Sequence, residues 1–235
     1  MTGTIINFFA IILGSVIGIL FGSRLPEKLK GTVIAAMGLF ILAIGLQMFL
    51  KTENGLIVLG AIVVGAALGE WGRLEDRLEA LGIWLEKKVS GSSEGSSSRF
   101  VRAFLATTVL FCTGPMAVLG SISDGLQGDS LTLTIKSVVD GIASIAFAST
   151  MGIGVAFSAF PVLIYQGTIS LLAGQLNSIV TSSMLNEMTA TGGVLLMGIG
   201  ISSLLELKKI RVGNLLPALL IAPLIVYVIS LIQVH

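Results

Sequence analysis

The feature that most constrains this chain is its succession of long stretches without a single charged side chain. Residues 1 to 23 precede the first charge, Arg24, and further uncharged runs cover 31–50, 54–69, 103–123, 141–186, 188–205 and 212–235. A helix rises about 1.5 Å per residue, so about 20 apolar residues cross the hydrocarbon of a bilayer. Only 11% of the 235 residues are charged, against about 25% in a soluble domain, so the surface has to be solvated by lipid. The 14 basic residues fall between the apolar runs and the net charge is +1, which removes the electrostatic basis for a nucleic-acid partner. Cys112 and His235 are the only residues of their kinds, too few for a Cys/His metal cluster. Without a usable histidine no nucleophile–base set assembles, so neither an enzyme nor a cofactor is expected.

The 46-residue run from 141 to 186 is too long for one crossing. It divides most economically at Met151-Gly152-Ile153-Gly154, with one span from about Leu131 to Thr150 and the next from about Val155 to Gly174. This predicts an all-α polytopic protein of about eight spans, or seven if Phe111 to Ser121 forms a re-entrant pair of half-helices. Bases in short loops stay on the cytoplasmic side. They cluster after span one (Arg24, Lys28, Lys30), span three (Arg73, Arg77, Lys87, Lys88, Arg99, Arg102) and span seven (Lys208, Lys209, Arg211). All are odd-numbered exits, so eight spans with both termini outside is the consistent topology. A secretory signal would carry bases before its apolar run; here they follow it, and the first run reads as a retained span.

Gly72 to Val89 departs from the pattern. Leu74, Leu78, Leu81 and Leu85 recur at helical spacing among charged residues, which describes a cytoplasmic amphipathic helix, with Trp71 and Trp84 suited to the lipid–water interface. Ser90 to Ser98, made of Ser, Gly and one Glu, reads as a flexible linker.

A shift of 160 positions places Gly14 on Gly174, Leu25 on Leu185, Glu27 on Glu187, Met37 on Met197, Gly38 on Gly198 and Asn54 on Asn214. Spans one to three (residues 1–70) would then correspond to spans six to eight (155–235). The alternating topology makes the two copies inverted, an architecture common among secondary transporters. Between them lie residues 71–98, with the amphipathic helix and linker, and 99–150, with spans four and five. Chance similarity between two Gly- and Leu-rich segments is the alternative. Gly14, Gly18 and Gly22 form a double GxxxG, which serves close helix packing either within the bundle or in a homo-oligomer.

The least lipid-like segment is Leu110 to Thr150. Thr113-Gly114-Pro115 falls midway along span four, where proline removes a donor and clashes with the preceding turn, so a break is expected there. Freed backbone groups at membrane depth are tolerated where they face a protein-lined cavity or a solute; a plain kink satisfied by Ser or Thr is the alternative. Lys136 and Asp140 are four apart and share a helix face with Ser144. Each charge would cost roughly 2.5–3.5 kcal/mol at a helix centre against lipid, so both should face the interior. Asp124 and Asp129 are expected at the outer mouth. Gln166 should bridge helices or contact a polar solute, and Cys112 gains interest only from lying beside the break. Acidic residues outside this segment look solvated.

The stretches Phe111 to Asp129 and Lys136 to Ser149, with Gly192-Gly193, resemble the YqgA/YdfK-like family of bacterial membrane proteins, a domain of unknown function (554). Phe111, Cys112, Gly120, Ser121, Gly125, Gly128, Asp129, Lys136, Ser137 and Asp140 match its central pattern, and the likeness extends over nearly the whole chain. The resemblance implies a multi-pass inner-membrane protein and transfers no substrate. The functional expectation is therefore a transporter or channel for a small polar solute or ion, with proton or sodium coupling. A non-transporting structural or regulatory membrane protein is the alternative.

Overall fold

A computed structural model of the chain describes residues 1–22, 26–80, 84, 97–205, 207–208 and 210–233. Arg24, Leu25, most of the amphipathic segment beyond residue 80, the linker from Ser90 to Ser96 and His235 lie outside the described residues. Among the described residues there is no strand. The helices are α1 (Thr2–Gly22), α2 (Glu27–Phe49), α3 (Gly55–Gly72), α4 (residues 74–80), α5 (Ser97–Cys112), α6 (Pro115–Gln127) and α7 (Leu131–Met151). They continue with α8 (Gly154–Phe157), α9 (Ala159–Leu171), α10 (Ala173–Leu176), α11 (Ser182–Ile199) and α12 (Ala218–Gln233). A π-helical turn, Gly200–Leu204, extends α11, and a 3-10 turn, Val212–Leu215, precedes α12. Seven of the helical stretches are long and apolar enough to cross a membrane, and α5 with α6 forms a further pair bent by 61°. Ser97 and Ser98, expected in the linker, instead open α5.

The chain forms two compact units. Unit 1 comprises Met1–Met37 and Leu81–Ile179, and unit 2 comprises Gly38–Ala80 and Val180–His235.

In unit 1, α1 turns the usual pattern inside out. Its buried positions are Gly3, Thr4, Asn7, Ile11, Gly14, Ser15, Gly18 and Gly22, while Phe9, Leu13, Leu20 and Phe21 are exposed. Lipid tails are as apolar as Leu, so the helix gains nothing by hiding its large aliphatics and gains packing and hydrogen bonds by hiding its small and polar ones. The glycines lie directly on the backbone of α7: a Cβ at Gly14, Gly18 or Gly22 would strike the carbonyl oxygen of Gly141, Ile145 or Ser149 respectively. Gly3 lies equally close to Leu133. Residue numbers rise together on both helices, so α1 and α7 run parallel. Against α9 the order reverses, with Phe8 edge-on to Phe160 at 5.5 Å and Gly167 beside the Met1 side chain, so that pair is antiparallel.

Packing fixes the path of the bent pair. Gly154 lies against the carbonyl of Phe100, at the start of α5, and close to the end of α7, whereas Gly125, near the end of α6, lies against the carbonyl of Ser170. The Gly3 N–H donates to Asp124, also near the end of α6, at 3.0 Å. The α5–α6 pair thus begins at the level where α1 and α7 end and finishes where they start. It traverses the whole unit as one broken span instead of returning to the side it entered, which makes eight candidate crossings among the described residues. The parallel run of α1 and α7 requires the same result, because a re-entrant α5–α6 would make α7 the fourth crossing and antiparallel to α1.

In unit 2, α2 and α11 are antiparallel, with Gly45 against Gly193 and Gly200 against Gly38 and Leu42. The pair α3 and α12 is antiparallel as well, Gly65 meeting Ala218 and Gly69 meeting Asn214. Ala61, Ala218 and Ala222 form its small-residue core, flanked by Ile62, Ile221 and Ile225. Helix ends are capped by short polar side chains: Asn54 Oδ1 accepts from Leu56 N at 3.1 Å and Thr181 Oγ1 from Met184 N at 3.2 Å. The cap at Thr181 starts α11 six residues before the expected Met188, so Glu187 sits inside the helix.

Two outcomes follow from this architecture. In a Cys112→Ser background, single cysteines at Thr2 and Asp129 should react with an impermeant maleimide from one membrane face and one at Ile153 from the other; labelling of positions 129 and 153 from the same face would mean that α7 does not cross. Gly18→Val places a branched side chain against the Ile145 carbonyl and should destabilise the folded protein by about 1–3 kcal/mol or more, read as a lower detergent melting temperature, whereas Leu13→Val on the lipid face should leave it unchanged.

Candidate functional site

The polar centre of unit 1 is built where α1, α7 and α9 meet. Lys136 and Asp140 lie one turn apart on α7, and the Lys136 ammonium donates to Asp140 Oδ2 in a direct ion pair. Lys136 is 6% and Asp140 5% exposed, so neither charge is compensated by water. At a rise of about 1.5 Å per residue, Asp140 sits about 13 Å along α7, near the middle of a hydrocarbon layer about 30 Å thick. The α1 helix contributes Asn7, whose Nδ2 donates to Asp140 Oδ2 at 3.0 Å and to Gln166 Oε1 of α9 at 3.4 Å. The amide of Asn7 therefore ties three helices together, with Gln166 as its partner on α9.

The break in span four adjoins this centre. The Lys136 Nζ lies over the Phe111 ring, 5.7 Å from its centroid, within reach of a cation–π attraction. Phe111 is the residue before Cys112, which is half-buried and packs beside Phe111, Ile11, Ala159 and Val162. Past Cys112 the chain opens at Thr113 and Gly114, and Pro115 starts α6. Proline brings no N–H to the carbonyl of Phe111, four residues earlier. The Val109 carbonyl accepts from Thr113 twice, at 3.0 Å from its backbone N–H and 2.5 Å from its hydroxyl. The kink is thus satisfied at the Val109 carbonyl by a neighbouring Thr, as in the plain structural reading, while the Phe111 carbonyl receives no bond from residue 115.

Several enclosed polar atoms around the centre have no hydrogen-bond partner: Asn7 Oδ1, Gln166 Nε2, Ser144 Oγ one turn beyond Asp140, and Thr4 Oγ1 one turn before Asn7. A buried polar group left unpaired costs about 1–3 kcal/mol, and the great majority in folded proteins find partners. These four atoms belong to, or lie one helical turn from, Asn7, Asp140 and Gln166.

The structure does not bring Asp124 and Asp129 to this centre. Asp124 is not at an open mouth; it is buried at the end of α6, where it accepts from Gly3 N and lies 3.2 Å from the Met1 amine. An anion there satisfies the first donors of α1 and opposes its dipole. Asp129 is exposed and accepts from Leu131 N at 3.0 Å in an Asx turn. Sequence reasoning left Asn7 out of the site because an isolated Asn in an uncharged run carries no local signal.

Unit 2 holds a further buried carboxylate that corrects the expectation of solvated outer acids. Glu187 is 1% exposed and accepts from Thr52 Oγ1 at 2.7 Å, Glu53 N at 2.7 Å and Asn54 N at 2.9 Å. It fastens the α2–α3 turn to α11. Glu53 returns the contact, accepting from Ser183 Oγ at 2.6 Å and Asn186 Nδ2 at 2.8 Å, and the Ser183 bond, then that of Asn186, holds its carboxyl below the usual range. At the other end of α3, Glu75 N donates to Asn214 Oδ1 at 2.7 Å and Gly213 N to Glu75 Oε2 at 2.6 Å.

Eight candidate crossings among the described residues, lipid-facing aliphatics and a charge pair enclosed at mid-depth define a multi-pass helical membrane protein. The chain belongs to the family described as protein of unknown function (DUF554), whose model matches residues 2–227. It is 32% identical over 233 residues to the uncharacterized membrane protein YdfK of Bacillus subtilis, covering 97% of each chain. It is also 32% identical over 221 residues to the uncharacterized protein YqgA of Escherichia coli, covering 94% of each. No solved structure matches it.

The ion pair makes its own prediction. Lys136→Met or Asp140→Leu alone leaves one buried charge unpaired and should destabilise the protein by about 3–5 kcal/mol, whereas the double variant should recover most of that loss. Melting temperatures of the three variants check it; additive losses in the double variant would show that the two charges do not act as a pair.

Proposed function

We propose that this protein is a membrane transporter for a small polar solute or ion, with Asp140 in the translocation path and a proton or sodium ion as the coupling species. The observation that carries the reading is the enclosed Lys136–Asp140–Asn7–Gln166 cluster at mid-depth, with unpaired polar atoms on three helices. Ionisable residues held at the centre of a membrane are costly, and they recur in pathways for protons, ions and solutes. The break at Thr113 to Pro115 lies beside the cluster and bends span four by 61°, as in transporters whose discontinuous helices meet the solute.

The repeat adds support. Under the 160-residue shift α1 is the counterpart of α9, α2 of α11 and α3 of α12. Each of these pairs packs antiparallel, which inverted copies require. Two inverted halves can exchange conformations and so open a central site to alternate sides. In this reading unit 2 contributes the fastened turns at Glu187 and Glu75, and the paired charges of unit 1 contribute the site.

The direct Lys136–Asp140 bond and the Thr113 back-bond also fit a non-transporting structural or regulatory membrane protein, in which the pair only locks α7. Asp140→Asn separates the two readings. It keeps the size of the side chain and its bond to Asn7 while removing the charge, and it costs stability by stranding Lys136. In proteoliposomes, transport per folded, inserted molecule should fall by a factor of about 100 or more; solute flux at the wild-type rate in the folded Asp140→Asn fraction would exclude Asp140 from the path.

A further inference from the structure

We infer that the solute recognised at this centre is a small zwitterion carrying an ammonium and a carboxylate a few bonds apart, as an α-amino acid does. The inference deepens the transport reading and rests on it for the placement of the site. Its basis is the charge and bonding inventory of the cluster. One buried cation, Lys136, and one buried anion, Asp140, are satisfied by each other and by Asn7. Close to them stand an orphaned donor, Gln166 Nε2, and orphaned acceptors, Asn7 Oδ1, Ser144 Oγ and Thr4 Oγ1. The hydroxyls serve as donors or acceptors.

The charge requirement selects the class. A lone cation taken up by Asp140 would leave the Lys136 ammonium, 6% exposed, without a counter-charge. A lone anion taken up by Lys136 would strand Asp140 in the same way. An uncharged solute offers neither residue anything in exchange for its partner, so the pair would stay closed. Stranding one member of a buried pair is the strongly unfavourable outcome, whereas exchanging partners keeps both charges compensated. A zwitterion inserts between the two: its ammonium takes Asp140 and the orphaned oxygen of Asn7, and its carboxylate takes Lys136 and the orphaned Gln166 amide. Net charge in the bundle is zero before and after. The four-carbon stem of Lys136 lets its Nζ swing aside without moving the α7 backbone; in the closed pair that Nζ lies 5.7 Å from the Phe111 ring centroid. No bond is made or broken covalently.

The test uses the full chain, purified in detergent, with the common protein amino acids and β-alanine as probes. L-Alanine methyl ester serves as the lone cation, N-acetyl-L-alanine as the lone anion, and sodium chloride as the bare ion. At least one zwitterion should raise the melting temperature and give a saturable calorimetric signal, while its ester and its N-acetyl derivative bind about 30-fold more weakly or worse, the loss expected when one partner of a buried charge pair is removed. Gln166→Met, which leaves the ion pair intact, should weaken binding of the same zwitterion by about tenfold; this variant keeps the test open if Lys136→Met and Asp140→Asn prove too unstable to purify. Absence of a shift with every zwitterion overturns the assignment, as does an ester or sodium ion that binds as tightly as the zwitterion. Flux separates this outcome from the transport reading. Zwitterion binding without flux in proteoliposomes keeps the assignment and removes transport. Asp140-dependent flux of sodium or protons without zwitterion binding keeps transport and removes the assignment.

Discussion

The close parallel contact of α1 with α7 is the constraint on which the rest of unit 1 depends. Gly14, Gly18 and Gly22 present no side chain, so the two backbones meet at carbonyl oxygens that any Cβ would displace. In lipid no hydrophobic force draws helices together, and dense packing of this kind takes its place. The contact sets the register of the two helices, and the register carries Asn7 to Asp140, 133 positions later in the chain. It also spends the GxxxG positions inside the bundle, so these glycines do not present a surface to a second copy.

With that pair fixed, the broken span acquires its meaning. The α5 and α6 helices run the full depth of the unit, yet bend by 61° where Pro115 cannot donate to Phe111. A straight helix would carry its side chains past Lys136 at regular intervals. The bend instead ends α5 at the ion pair, with Phe111 fully enclosed beneath the ammonium, and gives α6 a separate axis along which it reaches α9, where Ser170 Oγ donates to the Ser121 carbonyl at 2.9 Å. The same glycine and proline that weaken the helix therefore let it serve two packing directions.

Unit 2 is held by a different device. Its two tight turns are fastened by carboxylates that accept backbone N–H groups, Glu187 at the α2–α3 turn and Glu75 at Gly213. Turns at a membrane boundary leave helix-end donors unpaired, and a carboxylate satisfies two of them at once with charge-assisted bonds. Such bonds are strong but local, so the turns are rigid while the spans between them meet through small residues, Gly45 on Gly193 and Ala61 beside Ala218 and Ala222. Small smooth faces tolerate sliding more readily than interlocked large side chains.

What the sequence determined by itself was whatever depends on local composition. Uncharged runs of bilayer length marked the spans, Gly152 and its neighbours marked the division of the longest run, and Thr113-Gly114-Pro115 marked the break, because solvation by lipid and the missing proline N–H act on residues next to one another. Lys136 and Asp140 were legible for the same reason: four positions on one helix fix their contact. Glu187 misled, since a charge in the sequence looks like the end of a span; only the donors of a turn 133 to 135 positions away make it a buried residue of α11. Asn7 was equally silent, its partners being 133 and 159 positions distant. The path of span four was likewise legible only in the tertiary structure, because crossing and returning have the same composition, and it is the contacts of Gly154 with Phe100, Gly125 with Ser170 and Gly3 with Asp124 that place the end of α6 at the far side of unit 1.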